Sequence, residues 1–172
     1  MIYDAPAPEE PIDQGDIVDG CPIFGIAGFE SDALDAGIPD GLEIEGAFCR
    51  VLVVTQTCDF ANQKASMATV ALVRDADELV QKGLLKSAEV RGPIRSGRVY
   101  GWYFLPRSDI HGCPESIVDL RQLHTIRLDV LTELCWRGKR RARVRSPFRE
   151  HLAKHLADTY SRIGLPEPYR TD

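Results

Sequence analysis

Four consecutive apolar residues, Val51-Leu52-Val53-Val54, constrain this chain more than any other feature. They lie in a strand-forming stretch from Ala47 to Thr57, and no polar residue interrupts them. A strand without alternation is buried on both faces and therefore central in a sheet. Residues 62–66 are turn-like and Met67–Val73 is again apolar, so the two stretches read as a hairpin. Gln14-Gly15-Asp16-Ile17-Val18 reads as a turn entering an earlier strand, and Val99–Leu105 as an aromatic strand stopped by Pro106. Ser116–Ile126 reads as a further strand and turn, while Leu128–Trp136 fits either strand or helix.

Two helices are expected. One lies within 75–91, capped by Asp75 or Asp77, with Leu79, Val80 and Leu84 as its apolar face. The other spans 146–163, with Ser146 as N-cap, Pro147 at the first helical position, and Phe148, Leu152, Leu156, Tyr160 and Ile163 near one face. Gly164 and Pro166 then stop it. Strands do not alternate with helices, which excludes a parallel sheet. The expected fold is mainly β (α+β): a small, strongly curved antiparallel barrel with a packed C-terminal helix and a long acidic loop over 25–46. Residues 14–172 form that single domain, preceded by a mobile acidic lead-in over 1–13.

The net charge of −5 conceals a polarised chain. Residues 1–49 hold twelve carboxylates and no Lys or Arg, whereas all 21 basic groups follow, with the remaining 14 acidic ones. A chain acidic overall is a poor general binder of phosphate backbones, although its basic part is not excluded from such contact. The five cysteines are odd in number and widely spaced, without C-x-x-C, which argues against a disulfide framework or a zinc ribbon. Free thiols in a reducing cytoplasm are expected. No run approaches the length of a membrane span, and the N-terminus lacks the basic start and apolar stretch of a secretory signal. No cofactor and no metal is expected. His151 and His155 are one helical turn apart, but no glutamate of an H-E-x-x-H motif accompanies them, and they read as a solvated helix edge.

In order and spacing, these segments resemble the MazF/PemK family of bacterial growth inhibitors, which have an SH3-like barrel. Gln14–Val18 is similar to that family's opening strand, Cys49–Val54 to its arginine-bearing strand, Ala68–Val73 to the strand that follows, and Val118–Ile126 to a later segment. The resemblance covers residues 14–73 and 116–163. It implies that Arg50 stands at the family's catalytic arginine, with Val51 replacing its proline partner. The family's catalytic Thr or Ser is missing, because Arg74-Asp75-Ala76 occupies that place. The first loop is longer than in the family and strongly acidic, which repels RNA.

Three groups of residues are candidates for function. Arg50 can stabilise a phosphorane-like transition state, with His124 or Asp59 as proton acceptor. Its structural alternative is an ion pair with one of the N-terminal carboxylates. Gln56, Thr57, Cys58 and Asp59 follow the most hydrophobic strand, where Cys58 can serve as a nucleophile and Asp59 can orient His111 or His124. The structural alternative makes Cys58 a small filler and Asp59 a turn cap. Arg137, Lys139, Arg140, Arg141, Arg143 and Arg145 place six cations in nine residues beside Trp136. This basic run can bind phosphate or an acidic partner, and alternation would set 139, 141, 143 and 145 on one face of a strand. Its counterpart is either the chain's own N-terminal segment or another protein.

The resulting expectation is a divergent, non-catalytic barrel acting as an interaction or regulatory module in a bacterial defence or toxin–antitoxin locus. Its partner would be another protein of that locus, and a homodimer is possible. The alternatives are an endoribonuclease using Arg50, with RNA as partner, and a small cysteine hydrolase using Cys58.

Overall fold

The computed structural model describes residues 2–27, 43–61 and 65–161. The elements run β1 (Tyr3–Asp4), β2 (Asp16–Ile26), β3 (Ile44–Val53), α1 (Thr57–Ala61), β4 (Met67–Asp75), α2 (Ala76–Gln81), α3 (Ser87–Glu89), β5 (Trp102–Leu105), β6 (Ser116–Arg127), α4 (Leu128–Trp136), β7 (Arg140–Val144) and α5 (Phe148–Tyr160). The seven strands form one antiparallel sheet in the order β1-β7-β2-β3-β4-β6-β5. The chain is thus a mainly β protein with a C-terminal helix, and the Val51–Val53 run lies in the central strand. No helix among the described residues is long and apolar enough to cross a membrane.

The sheet buries both faces, which is why β3 needs no alternation. On one face, Leu52 and Ala71 pack with Tyr3, Ile17, Leu105, Val118 and Leu120, and α5 covers them through Leu152. On the other, Val51, Val53, Ala68 and Val70 pack beneath Leu131 and Cys135 of α4, with Ile12 and Phe60 alongside. The segment 128–136 resolves as a helix because these two side chains, one turn apart, meet that second face. A third cluster joins Ala76 and Leu79 of α2 to Val90, Ile94 and Ile117.

The end strands approach each other across the first core. The Tyr3 hydroxyl donates to the Pro106 carbonyl at 2.7 Å, just past β5, and Tyr3 shares a cluster with Leu105. The sheet is therefore strongly curled, although no strand pairing joins β1 to β5 among the described residues.

Four local expectations are corrected. The lead-in expected over 1–13 is docked where it is described, over 2–13: Tyr3 pairs with Val144, and Tyr3 and Ile12 are buried. Apolar anchoring outweighs its acidic, proline-rich composition. The ends of the 25–46 loop are strand, since β2 and β3 stay paired out to Ile26 and Ile44. The rest of that loop, like the turn at 62–64 and the stop at Gly164 and Pro166, lies outside the described residues. Thr57 opens α1 rather than ending a strand, and Asp59 sits in that helix's first turn. Ser146 makes no cap, and α5 begins at Phe148 after Pro147.

Gly15, in the segment resembling the family's opening, has a structural reason. Its φ is +90°, and a Cβ there would lie 2.8 Å from the Val144 carbonyl oxygen. Its own amide donates to Val53 and its carbonyl accepts from Val144, so it ties β3 to β7 at the point where only glycine fits.

Candidate functional site

The basic run is folded onto the acidic N-terminal segment. Asp16 begins β2 opposite Arg143. An extra residue on β7 shifts the register between Ile17 and Val18, so Ile17 faces Ala142 while Val18 faces Arg140. This bulge breaks the expected alternation of 139, 141, 143 and 145. It brings Arg140 and Arg143 to the same fully buried carboxylate: Arg143 Nε and Nη2 donate to Asp16 at 2.6 and 2.9 Å, and Arg140 Nη1 at 3.3 Å. Arg140 also donates to the carbonyls of Pro8, Glu10 and Pro11, and Arg143 to that of Pro11. Arg149 reaches Asp13 at 2.9 Å, and Arg145 approaches Asp4 at 3.8 Å. Arg137, just past α4, pairs instead with Glu133 of that helix, Trp136 is exposed, and Lys139 remains exposed beside it. The counterpart of Arg140, Arg141, Arg143 and Arg145 is therefore the chain's own N-terminal segment.

Arg50 belongs to the same system. Its Nε donates to Asp19 Oδ1 at 2.5 Å and its Nη2 to Oδ2 at 3.1 Å, while Arg141 Nε donates to Oδ2 at 2.6 Å. The planar fork that would grip a phosphate is engaged by a carboxylate in the matching two-point geometry. Burial alone would raise the Asp19 pKa, but hydrogen bonds from Arg50 and Arg141 outweigh it and hold the carboxyl below its usual range. Such a depressed acid stabilises the fold above its unfolded pKa of about 4, and that contribution is lost as pH falls through the lower folded value. The stability difference between wild type and Asp19→Asn, measured by urea unfolding, should favour wild type at neutral pH and shrink in acid. A difference that is constant down to strongly acidic pH would show that Asp19 is not held by these arginines.

Arg50 borders a cleft of about 300 Å³ with Cys49, Arg74, Asp75, Glu78 and Lys82. Lys82 is paired with Glu78. Asp75 accepts from the amides of Asp77 and Glu78 at 2.8 and 3.2 Å and so caps α2. The thiol of Cys113, which sequence reasoning did not single out, is buried close to this group. Burial pushes its pKa up, while Arg50 pulls it down.

His124 is not brought to Arg50. It lies opposite Val70, which packs in the second core, whereas Leu52 of β3 packs in the first and Arg50, two residues before it, shares that side. The sheet separates the two, and the His124 Nε2 atom is buried without a hydrogen-bond partner. His111 is held by Ser108 Oγ at 2.8 Å and packs against the Tyr3 ring. In α1 the exposed Cys58 sulfur lies 3.6 Å from Gln56 Oε1 and 4.0 Å from Asp59 Oδ1, and Thr57 begins the helix. His151 is exposed and packs edge-on to Phe148 of its own helix, whereas His155 donates to the Val99 carbonyl at 3.2 Å and so helps seat α5.

No family model and no curated protein matches this chain. The feature that sequence reasoning missed is the outer half of the β2–β3 hairpin. Pairing sets Pro22 opposite Phe48, Phe24 opposite Gly46 and Ile26 opposite Ile44. Directly opposed residues share a face, and alternate residues along a strand share it too, so all six lie on one side. Phe24 is 67%, Ile26 56%, Ile44 70% and Phe48 83% exposed. The Phe24 ring lies over Gly46, where a Cβ would approach it to 2.7 Å. The signal was present as alternation on both sides of the loop, but the surrounding glycines and acids obscured it.

Proposed function

We propose that this chain is a non-catalytic, MazF/PemK-like module with an SH3-like barrel that acts by binding another protein. The bacterial defence or toxin–antitoxin setting comes from the resemblance, and the partner is a protein of the same locus. The observation that carries this reading is the two-point ion pair of Arg50 with Asp19, reinforced by Arg141. A phosphodiester would have to displace a carboxylate held by two guanidiniums, and the sheet stands between Arg50 and His124. The exposed apolar face of the hairpin supports binding as the alternative activity, since large exposed patches mark interaction surfaces.

The endoribonuclease reading retains one favouring observation, the cleft where Arg50, Arg74 and Lys82 converge. Incubating the purified full chain with structured and unstructured RNA separates the two. No cleavage is expected from wild type, and induction of the protein in a bacterium should leave growth unchanged. RNA cleavage by wild type that is lost in Arg50→Ala would overturn the non-catalytic reading.

A further inference from the structure

The β2–β3 arm has an open edge as well as an apolar face. β3 pairs with β4 only at Val51, Leu52 and Val53. Among the described residues, the outer edge of β3 from Ile44 to Arg50 therefore pairs with no other strand. An exposed edge of this length offers a row of backbone donors and acceptors to an incoming chain.

The arm also has a charge pattern that selects among possible occupants. Over 20–27 and 43–49, the only charged residues are Glu43 and Glu45, both exposed. Neither forms an ion pair among the described residues, although the arginines on β7 and Arg50 are paired with carboxylates elsewhere. Alternation places Glu43 and Glu45 on one face and Ile44, Gly46 and Phe48 on the other. Two copies of this chain joined edge to edge would set an acidic edge against itself, so charge favours an unlike partner.

We infer that the outer edge of β3 binds an extended segment of a partner protein by strand addition, and that this segment alternates basic with apolar residues. Its Lys or Arg side chains lie beside Glu43 and Glu45. Its apolar side chains lie over Ile44, Gly46 and Phe48, next to Phe24 and Ile26. Main-chain hydrogen bonds supply affinity and the alternating faces supply specificity. This inference rests on the interaction-module reading and adds the chemistry of the partner.

The test uses the full chain and a fluorescent, end-capped heptapeptide alternating Lys and Val. Controls are a peptide of the same composition with Lys and Val in blocks, one with Glu replacing Lys, and one N-methylated at alternate amides. The alternating peptide should bind at least about tenfold more tightly than any control, the scale of one anchoring contact. Binding should weaken as salt rises. Phe48→Asp should weaken it by about tenfold or more, and so should Glu43→Lys combined with Glu45→Lys. Phe48 is so exposed that its replacement should leave the unfolding midpoint unchanged, which is measured alongside. Trp136→Ala, on α4, should have no effect on binding.

Equal binding of the block peptide, indifference to Phe48→Asp, or no saturable binding into the millimolar range would each overturn the inference. So would a dimer in light scattering that Phe48→Asp dissolves, because a second copy would then occupy the edge. RNA cleavage by wild type would instead overturn the non-catalytic reading and leave the peptide result standing.

Discussion

Replacing Asp16 with Ala is expected to lower the unfolding free energy by about 3–5 kcal/mol, the cost of removing one partner from a buried ion pair. The carboxylate is fully buried and receives Arg143 twice, Arg140 once and the Asp13 amide at 3.0 Å. Its loss leaves the side chain of Arg140, itself 2% exposed, without its ionic partner. It also frees the segment 8–13, whose carbonyls those two arginines hold. Urea unfolding measures the loss, and proteolysis should show earlier cutting near residues 8–13. The contrasting variant is Asp4→Ala at the half-exposed Arg145 pair, expected to cost no more than about 1 kcal/mol. Equal losses for the two variants would mean that burial does not distinguish these pairs.

The second large effect is expected at Tyr3. Its side chain is buried in the first core, and its hydroxyl spans from β1 to the Pro106 carbonyl. Burial pushes its phenol well above the ordinary tyrosine value. Tyr3→Ala should cost about 3–5 kcal/mol, as for other large aromatic truncations in cores. Tyr3→Phe keeps the ring and should cost about 1 kcal/mol, the scale of one hydrogen bond. The difference separates packing from the hydroxyl contact. If Tyr3→Ala unfolded at the wild-type urea midpoint, residues 2–5 would not be part of the core.

Much of the β framework was legible because hydrophobic runs report burial directly. Val51–Val53, Met67–Val73 and Ser116–Ile126 all belong to strands, and the run without alternation is central. The helical stripe through Leu152 was legible for the same reason. The candidate site was less legible. Arg50 was correctly suspected of facing an N-terminal carboxylate, but nothing in the residue order selects Asp19 from among twelve. The basic run suggested one cationic face, whereas a single extra residue at Arg141 turns Arg140 and Arg143 toward one carboxylate. His124 was a plausible base until the strand register put it on the opposite side of the sheet.

The sequence by itself determined that this chain makes a mainly β fold with a closing helix, and that opposite charges are concentrated in its two parts. Both follow from local quantities: apolar periodicity and net charge need no knowledge of partners. Only the tertiary structure decided that the acidic lead-in is a docked strap, that Arg50, Arg140, Arg141 and Arg143 are internal clasps, and that the β2–β3 arm exposes an apolar face and, among the described residues, an unpaired edge. Those outcomes depend on register and on contacts across more than a hundred residues, such as Arg143 with Asp16. A one-residue slip reverses which face a side chain occupies, and residue order alone does not encode that slip.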